Sequence, residues 1–355
     1  MNQRRFLALD ILRTFSVIVI TFYHVWESAF GEDRMFFTKS QSIYAYLTQF
    51  FVDYWSYSGI ILALISFFLI GLSRKDINWQ RYLLVAIGLV GMMIHDQSQT
   101  DYQSWSWNLY GYLLVSLLTV QILPNNKKAL LALSALSLSL LFIPVEVFQS
   151  LKPSDSPILG QMLIGDLDAT TTIGWGLLPW LSIPVLGFSI GRVIRDLSMN
   201  SLVFTGLKYE VPVLLAVAAG LIAAFPFRSD VSVSSTGFYY YVFSGSVWFF
   251  WSRFAVILIW IRISCLNSVN QFLNRFKIVR MNSELAWNRH FGLCYFIQFI
   301  FLSWASQLSL EFRANPRLMD LFWIGMVAAT EVLARLLVIR LRSFKLSANK
   351  LVNRT

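Results

Sequence analysis

Ten times along the chain the sequence runs apolar for about the length a helix needs to cross a bilayer. These runs lie near residues 6–26, 54–73, 79–95, 106–124, 128–145, 171–192, 210–226, 240–263, 290–309 and 318–340. Backbone in hydrocarbon must satisfy its own N–H and C=O groups, and single runs of this length do so as helices. Composition agrees with that reading. Hydrophobic residues make up 56% of the chain and charged residues 14%, whereas soluble proteins carry about 25% charged residues. The expectation is an all-α, polytopic integral membrane protein of about ten transmembrane helices. No fixed-period repeat appears. The longest gap, 146–170, is acidic and contains proline, and reads as an ordered loop or short interfacial helix. Residues 1–345 therefore read as a single transmembrane domain, with a basic tail over 346–355.

The connecting segments alternate in charge. Arg4 and Arg5 precede the first run, and one side then gathers Arg74, Lys75 and Arg81, Lys127 and Lys128, Arg192, Arg195 and Lys208, and Arg275, Lys277, Arg280 and Arg289. The tail adds Arg340, Arg342, Lys345, Lys350 and Arg354. The opposite side holds most of the acids, among them Glu27, Glu32, Asp33, Asp53, Asp96, Asp101, Asp155, Asp166 and Asp168. Under the positive-inside rule only an even number of helices gives this pattern, with the N- and C-termini both cytoplasmic. The formal net charge of +10 is thus explained by loops and not by a nucleic-acid surface. Cys265 and Cys294 fall at or inside apolar runs and imply no disulfide framework. Asp10 and Arg13 interrupt the first run and no small-x-small cleavage site follows, so it reads as a retained helix and not a leader.

That first helix, "ALDILRTFSVIVITFYHVWES", keeps ionisable groups where charge is expensive. Arg13 and His24 are eleven residues apart, which places them within about 20° of one another and about 16 Å apart along the axis. Asp10 precedes Arg13 by three residues and Glu27 follows His24 by three, so one stripe is polar from end to end. Arg13 falls in the cytoplasmic half and His24 near the outer surface. A structural reading makes Asp10 and Arg13 an i,i+3 ion pair and His24 an interfacial residue. The functional reading is that the stripe faces a cavity or pathway, as intramembrane ionisable groups usually do.

Other candidates surround it. His95 and Asp96 end the third run on the outer side, at the level of His24, without metal-ligand spacing. Trp105 and Trp107 in "TDYQSWSWNLYGY" read either as an aromatic belt or as a stacking platform for a sugar. Arg253 lies near mid-membrane and could meet an anionic ligand, while Glu331 and Arg335 form an i,i+4 pair that reads as interhelical glue. His290 lies at the cytoplasmic end of the ninth run, where it could act as a base or contact a phosphate.

The stretch "RRFLALDILRTFSVIVITFYHVWE" resembles the first helix of the acyltransferase-3 superfamily of membrane acyltransferases, with the R-x10-H pair matched by Arg13 and His24 inside an L-D-x-L-R pattern. "ISFFLIGLSRK" is similar to the family's F-F-x-x-x-G-x-S segment. "GWGLLPWLSIPVLGFSIGR" looks like the P-L-x-P-W…L-G-x-x-x-G run of the heparan-α-glucosaminide N-acetyltransferase-like branch, and "NRHFGLCYFIQF" is faintly similar to the late G-R-x-S-L-x-I-Y-L-x-H helix. The order of the four segments, the ten runs and the cytoplasmic N-terminus agree. Departures are Thr14 in place of a glycine, Asn288 and Phe291 where glycine and serine are usual, and Gln298 where a histidine is common.

The resemblance implies an acyltransferase, by O- or N-acyl transfer, that moves an acyl group, commonly acetyl from acetyl-CoA as co-substrate, to an extracytoplasmic glycan or lipid-linked sugar of the cell envelope. His24 is then the catalytic base, imidazole being able to take a proton near working pH. Arg13 orients the donor or holds the stripe, with Asp10 beside it. The CoA end would dock at Arg13, Arg289 and His290, with Arg253 a further contact. Glu27, His95, Asp96, Trp105 and Trp107 would meet the carbohydrate acceptor. No metal is expected, the partners are membrane lipids and the acceptor, and the location is a bacterial inner (cytoplasmic) membrane. Two other classes fit the same composition: a proton-coupled transporter or flippase, and a catalytically inactive membrane partner in glycan assembly. Neither an inverted repeat nor paired Gly/Pro-broken helices support the transporter.

Overall fold

The computed structural model describes residues 6–30, 62–72, 85–91, 109–140, 180–198, 200–224, 247–305 and 316–352, with isolated positions at 83, 94, 143, 147, 150, 163, 177, 178 and 308. Among them the chain is all-α, without a strand. The helices are α1 (Leu7–Phe30), α2 (Leu62–Leu72), α3 (Leu109–Ile122), α4 (Lys127–Leu140), α5 (Ser182–Arg195), α6 (Leu202–Thr205), α7 (Glu210–Ala224), α8 (Val247–Cys265), α9 (Asn267–Leu273), α10 (Lys277–Ser283), α11 (Ala286–Arg289), α12 (Phe291–Ala305) and α13 (Pro316–Val352). A further helical stretch covers 85–91. Each of the ten apolar runs therefore contains helix. Among the described residues one segment, Arg317–Arg340 of α13, is by itself long and apolar enough to cross a membrane. Phe254–Cys265 and Asn267–Leu273 qualify only when joined across their 79° bend. Leu62–Leu72, Gly111–Ile122, Glu210–Ala224 and Gly292–Leu302 are apolar but shorter than a span. Residues 264–289, which the sequence suggests is a plain basic connection, hold three short helices.

The helices form two compact units, one built from Met1–Arg5 with Ile60–Val269 and the other from Phe6–Gly59 with Asn270–Thr355. In the first, α5 is the central element, and α3 and α4 pack against it. Its glycines explain how α2 also reaches it. A Cβ on Gly191 would collide with the Phe68 carbonyl, one on Gly187 with the Leu64 carbonyl, and one on Gly71 with the Phe188 carbonyl. Backbones that close leave no room for side chains, the packing that small residues four apart permit between apolar helices. Phe67, Val120 and Phe188 fill the space beside the crossing, and the Tyr112 hydroxyl donates to the Trp180 carbonyl at 3.0 Å.

Elsewhere in that unit Arg262 of α8 ties together the segment before α7. Its guanidinium donates to the Leu202 carbonyl at 3.0 Å, to the Val203 carbonyl, and to Glu210 Oε2 at 2.8 Å. Gly206, at φ 68° and ψ −179°, links α6 to α7 in a conformation essentially confined to glycine. The outer surface of α7 is apolar: Val213, Leu215, Val217 and Ile222 are exposed, and none of its residues is buried.

In the second unit α1 is the hub, with α10, α11, α12 and α13 packed around it. Its first amide, on Leu7, donates to Asn270 Oδ1 at 2.9 Å and so gains a partner no helix can supply internally. Three buried stripes run along the packed helices at i,i+4 spacing. They are Arg13, Val17, Thr21 and Val25 on α1; Cys294, Gln298 and Leu302 on α12; and Met326, Thr330 and Ala334 on α13. Val25, Leu302, Met319 and Met326 close one end as an apolar cluster. The opposite face of α13 carries Leu321, Ile324, Val332, Leu336 and Ile339, all exposed.

Candidate functional site

The other end of the second unit is polar. Asp10 and Arg13 are 8% and 7% exposed, one helical turn apart on α1, and the Asp10 carboxylate lies close enough for its charge to act on the guanidinium. A buried guanidinium needs acceptors as well as countercharge. Arg13 Nη1 donates to the Asn288 carbonyl at 3.1 Å. The Asn288 side chain in turn donates from Nδ2 to Thr14 Oγ1 at 2.7 Å and to the Asn282 carbonyl at 2.9 Å. One residue of the α11 turn thus fixes two neighbouring positions of α1. The Cys294 thiol is also near enough to Arg13 and Glu331 to feel both charges.

Glu331 of α13 holds the same turn from the other side. Its carboxylate accepts from the Ala286 amide at 2.8 Å and the Trp287 amide at 3.4 Å, capping the start of α11. Arg335 pairs with it at 2.6 Å in the expected i,i+4 register and donates to the Glu284 carbonyl at 3.4 Å. The pair is therefore interhelical glue, as its spacing implied.

The predicted site residues fall into three groups. Asp10 and Arg13 are together and buried. Arg289 and His290 belong to the same unit: Arg289 is exposed and ion-paired with Glu284, and His290 is half-buried where α11 passes into α12, its amide donating to the Ala286 carbonyl at 2.6 Å. His24 and Glu27 lie on the α1 backbone and Arg253 on that of α8, in the first unit, but their side chains are outside the described residues. His95, Asp96, Trp105 and Trp107 also lie outside them. By helical period, position 24 shares the face of α1 that carries Arg13, Val17 and Thr21. Among the described residues no three His, Cys, Asp or Glu side chains converge as a metal site requires.

Sequence reading noticed Asn288 and Gln298 only as departures from a pattern. Asn288 organises the Arg13 end. Gln298 is 1% exposed, and neither end of its carboxamide has a hydrogen-bond partner among the described residues. Comparison with protein-family models, with curated proteins and with solved structures finds no match.

Proposed function

We propose that the chain is a polytopic membrane acyltransferase of ten helices, transferring an acyl group, acetyl in the simplest case, from cytoplasmic acyl-CoA to a sugar acceptor on the other side. The observation that carries this reading is the polar face of α1, on which a buried Arg13, braced by Asp10 and Asn288, shares a face with position 24. A fixed cation at one level suits an anionic donor, and an imidazole further along the same face suits activation of a hydroxyl or amine. The membrane setting is supported by the outward faces of α7 and α13. Exposed apolar side chains in such number are costly in water and cost nothing in lipid.

In this scheme His24 removes the acceptor proton as the acceptor oxygen or nitrogen attacks the thioester carbonyl. The carbon–sulfur bond breaks and CoA departs as the thiol, taking up the proton. Arg13 orients the donor from the cytoplasmic half, with Arg289 supplying positive charge and His290 a hydrogen-bonding ring at the mouth. The test is sided. In sealed, oriented vesicles, labelled acetyl-CoA is expected to serve as donor only from the cytoplasmic face, and a sugar acceptor only from the opposite face. Labelling of an acceptor supplied on the donor's own face would leave a one-sided transferase. Substrate uptake without covalent change would favour a transporter instead.

A further inference from the structure

Between the two ends of the second unit lie four polar side chains that the scheme above does not use. Ser16 and Thr21 of α1, Gln298 of α12 and Thr330 of α13 are each no more than 1% exposed. None of their side-chain oxygens or nitrogens has a hydrogen-bond partner among the described residues. Their level is bracketed. At one end Asn288 contacts Arg13 and Thr14, and Glu331 contacts Ala286. At the other, Val25, Leu302, Met319 and Met326 are packed together. Thr21, Gln298 and Thr330 are each a polar member of a buried i,i+4 stripe, on the three helices that pack together there.

Leaving a buried polar group unsatisfied costs about 1–3 kcal/mol, and a carboxamide leaves both a donor and an acceptor unmet. Apolar residues of the same size would pack here without that cost. We propose that Thr21, Gln298 and Thr330 are a binding subsite for a neutral secondary amide of the ligand; on the acyltransferase reading, this is an amide of the donor's pantetheine arm. All three side chains are neutral, so they match a group without charge. The Gln298 carboxamide can donate to the amide oxygen and accept from its N–H, and the threonine hydroxyls can turn to do either.

Register supports the donor. In an acyl-pantetheine the last amide is separated from the thioester sulfur by two methylenes. An amide held at Thr21 puts the thioester about one helical turn further on, and position 24 lies about 4.5 Å beyond Thr21 along the axis.

The test uses full-length protein in lipid nanodiscs, Gln298→Met and Thr21→Val, with acetyl-CoA and N-acetylglucosamine as probes. Without ligand, Gln298→Met is expected to unfold at a higher temperature than wild type, since an unsatisfied amide has left the core. Its affinity for acetyl-CoA should fall about tenfold, as losing one or two hydrogen bonds implies. In turnover the loss should appear in KM and not in kcat. Thr21→Val should shift the same quantities in the same direction, less strongly. Gln298→Met binding acetyl-CoA as tightly as wild type would overturn the subsite and leave the transferase reading standing. Stabilisation by N-acetylglucosamine that depends on Gln298 would assign the amide to the acceptor and overturn the donor assignment. A wild-type protein that acetyl-CoA does not stabilise would remove the acyltransferase reading, and the subsite with it.

Discussion

At the scale of single residues, Arg13 is a buried guanidinium held in a polar setting. Its burial is tolerable because a carboxylate stands one turn away and a backbone carbonyl accepts its Nη1–H. Lysine would keep the charge and lose the planar fork, so the Asn288 carbonyl and an anionic ligand could no longer be served at once. Arg13→Lys is expected to lower acyl transfer by one to two orders of magnitude, measured as product formed per inserted protein. Asn288→Ala strips Thr14 Oγ1 of its amide donor and the Asn282 carbonyl of its side-chain donor, leaving that carbonyl the Leu285 amide. It should cost about 1–3 kcal/mol, read as a lower midpoint of thermal unfolding in nanodiscs. His24→Ala makes a different prediction. If the imidazole is the base, turnover disappears while insertion and unfolding temperature stay at wild-type values. Wild-type turnover in that variant would move the assignment to His95.

At the scale of helices, the crossing of α2 and α5 depends on an absence of side chains. Gly191→Ala places a methyl group against the Phe68 carbonyl, which cannot move without dragging α2. Overpacking of this kind typically costs about 1–3 kcal/mol, and Gly187→Ala should act alike against the Leu64 carbonyl. Protease protection of α2 in the two variants, compared with Gly220→Ala, checks this, because a Cβ at Gly220 meets nothing. The same crossing shows where sequence reading stops. The G-x-x-x-G spacing of α5 is visible in the chain, but nothing local says that Gly71, the glycine of "ISFFLIGLSRK", is its partner. Helices of long apolar runs were legible because hydropathy is a property of each segment alone. Helices α10 and α11 were not, being one or two turns long and polar, and held by partners far away in sequence. Glu331 with Arg335 could be read from spacing. That Glu331 caps a turn 44 and 45 residues earlier could not. Likewise Arg13 stood out as a charge in an apolar run, whereas Asn288, 275 residues on, announced nothing of its role.

At the scale of the whole chain, the prediction with most consequence is topology. Basic residues repel the translocated side, and their clusters fall after every second apolar run. The long α13 adds a constraint. Its apolar part, Arg317–Arg340, matches a span, and the helix runs on to Val352 through Arg342, Lys345 and Lys350. A polar, basic continuation of an apolar helix belongs in water on the cytoplasmic side, with Arg340 and Arg342 at the boundary. Reporter fusions after Arg5, within 74–78 and after Lys345 should therefore report cytoplasm, and fusions within 30–40, 97–104 and 150–165 the exterior. Each junction tests a different count. An exterior signal at 74–78 would mean that only one of the first two runs crosses, and the polar face of α1 would then belong to a chain threaded differently. An exterior signal after Lys345 with the other five as expected would place the miscount among the later runs, where several described helices are shorter than a span. That result would also conflict with the direction of α13, because from the Asn288 and Ala286 end to the Val25 and Met326 end α1 rises in number from Arg13 to Val25 while α13 falls from Glu331 to Met326. Antiparallel helices enter the bilayer from opposite faces, so with α1 and α13 each crossing once the N-terminus before α1 and the C-terminus after α13 report the same side.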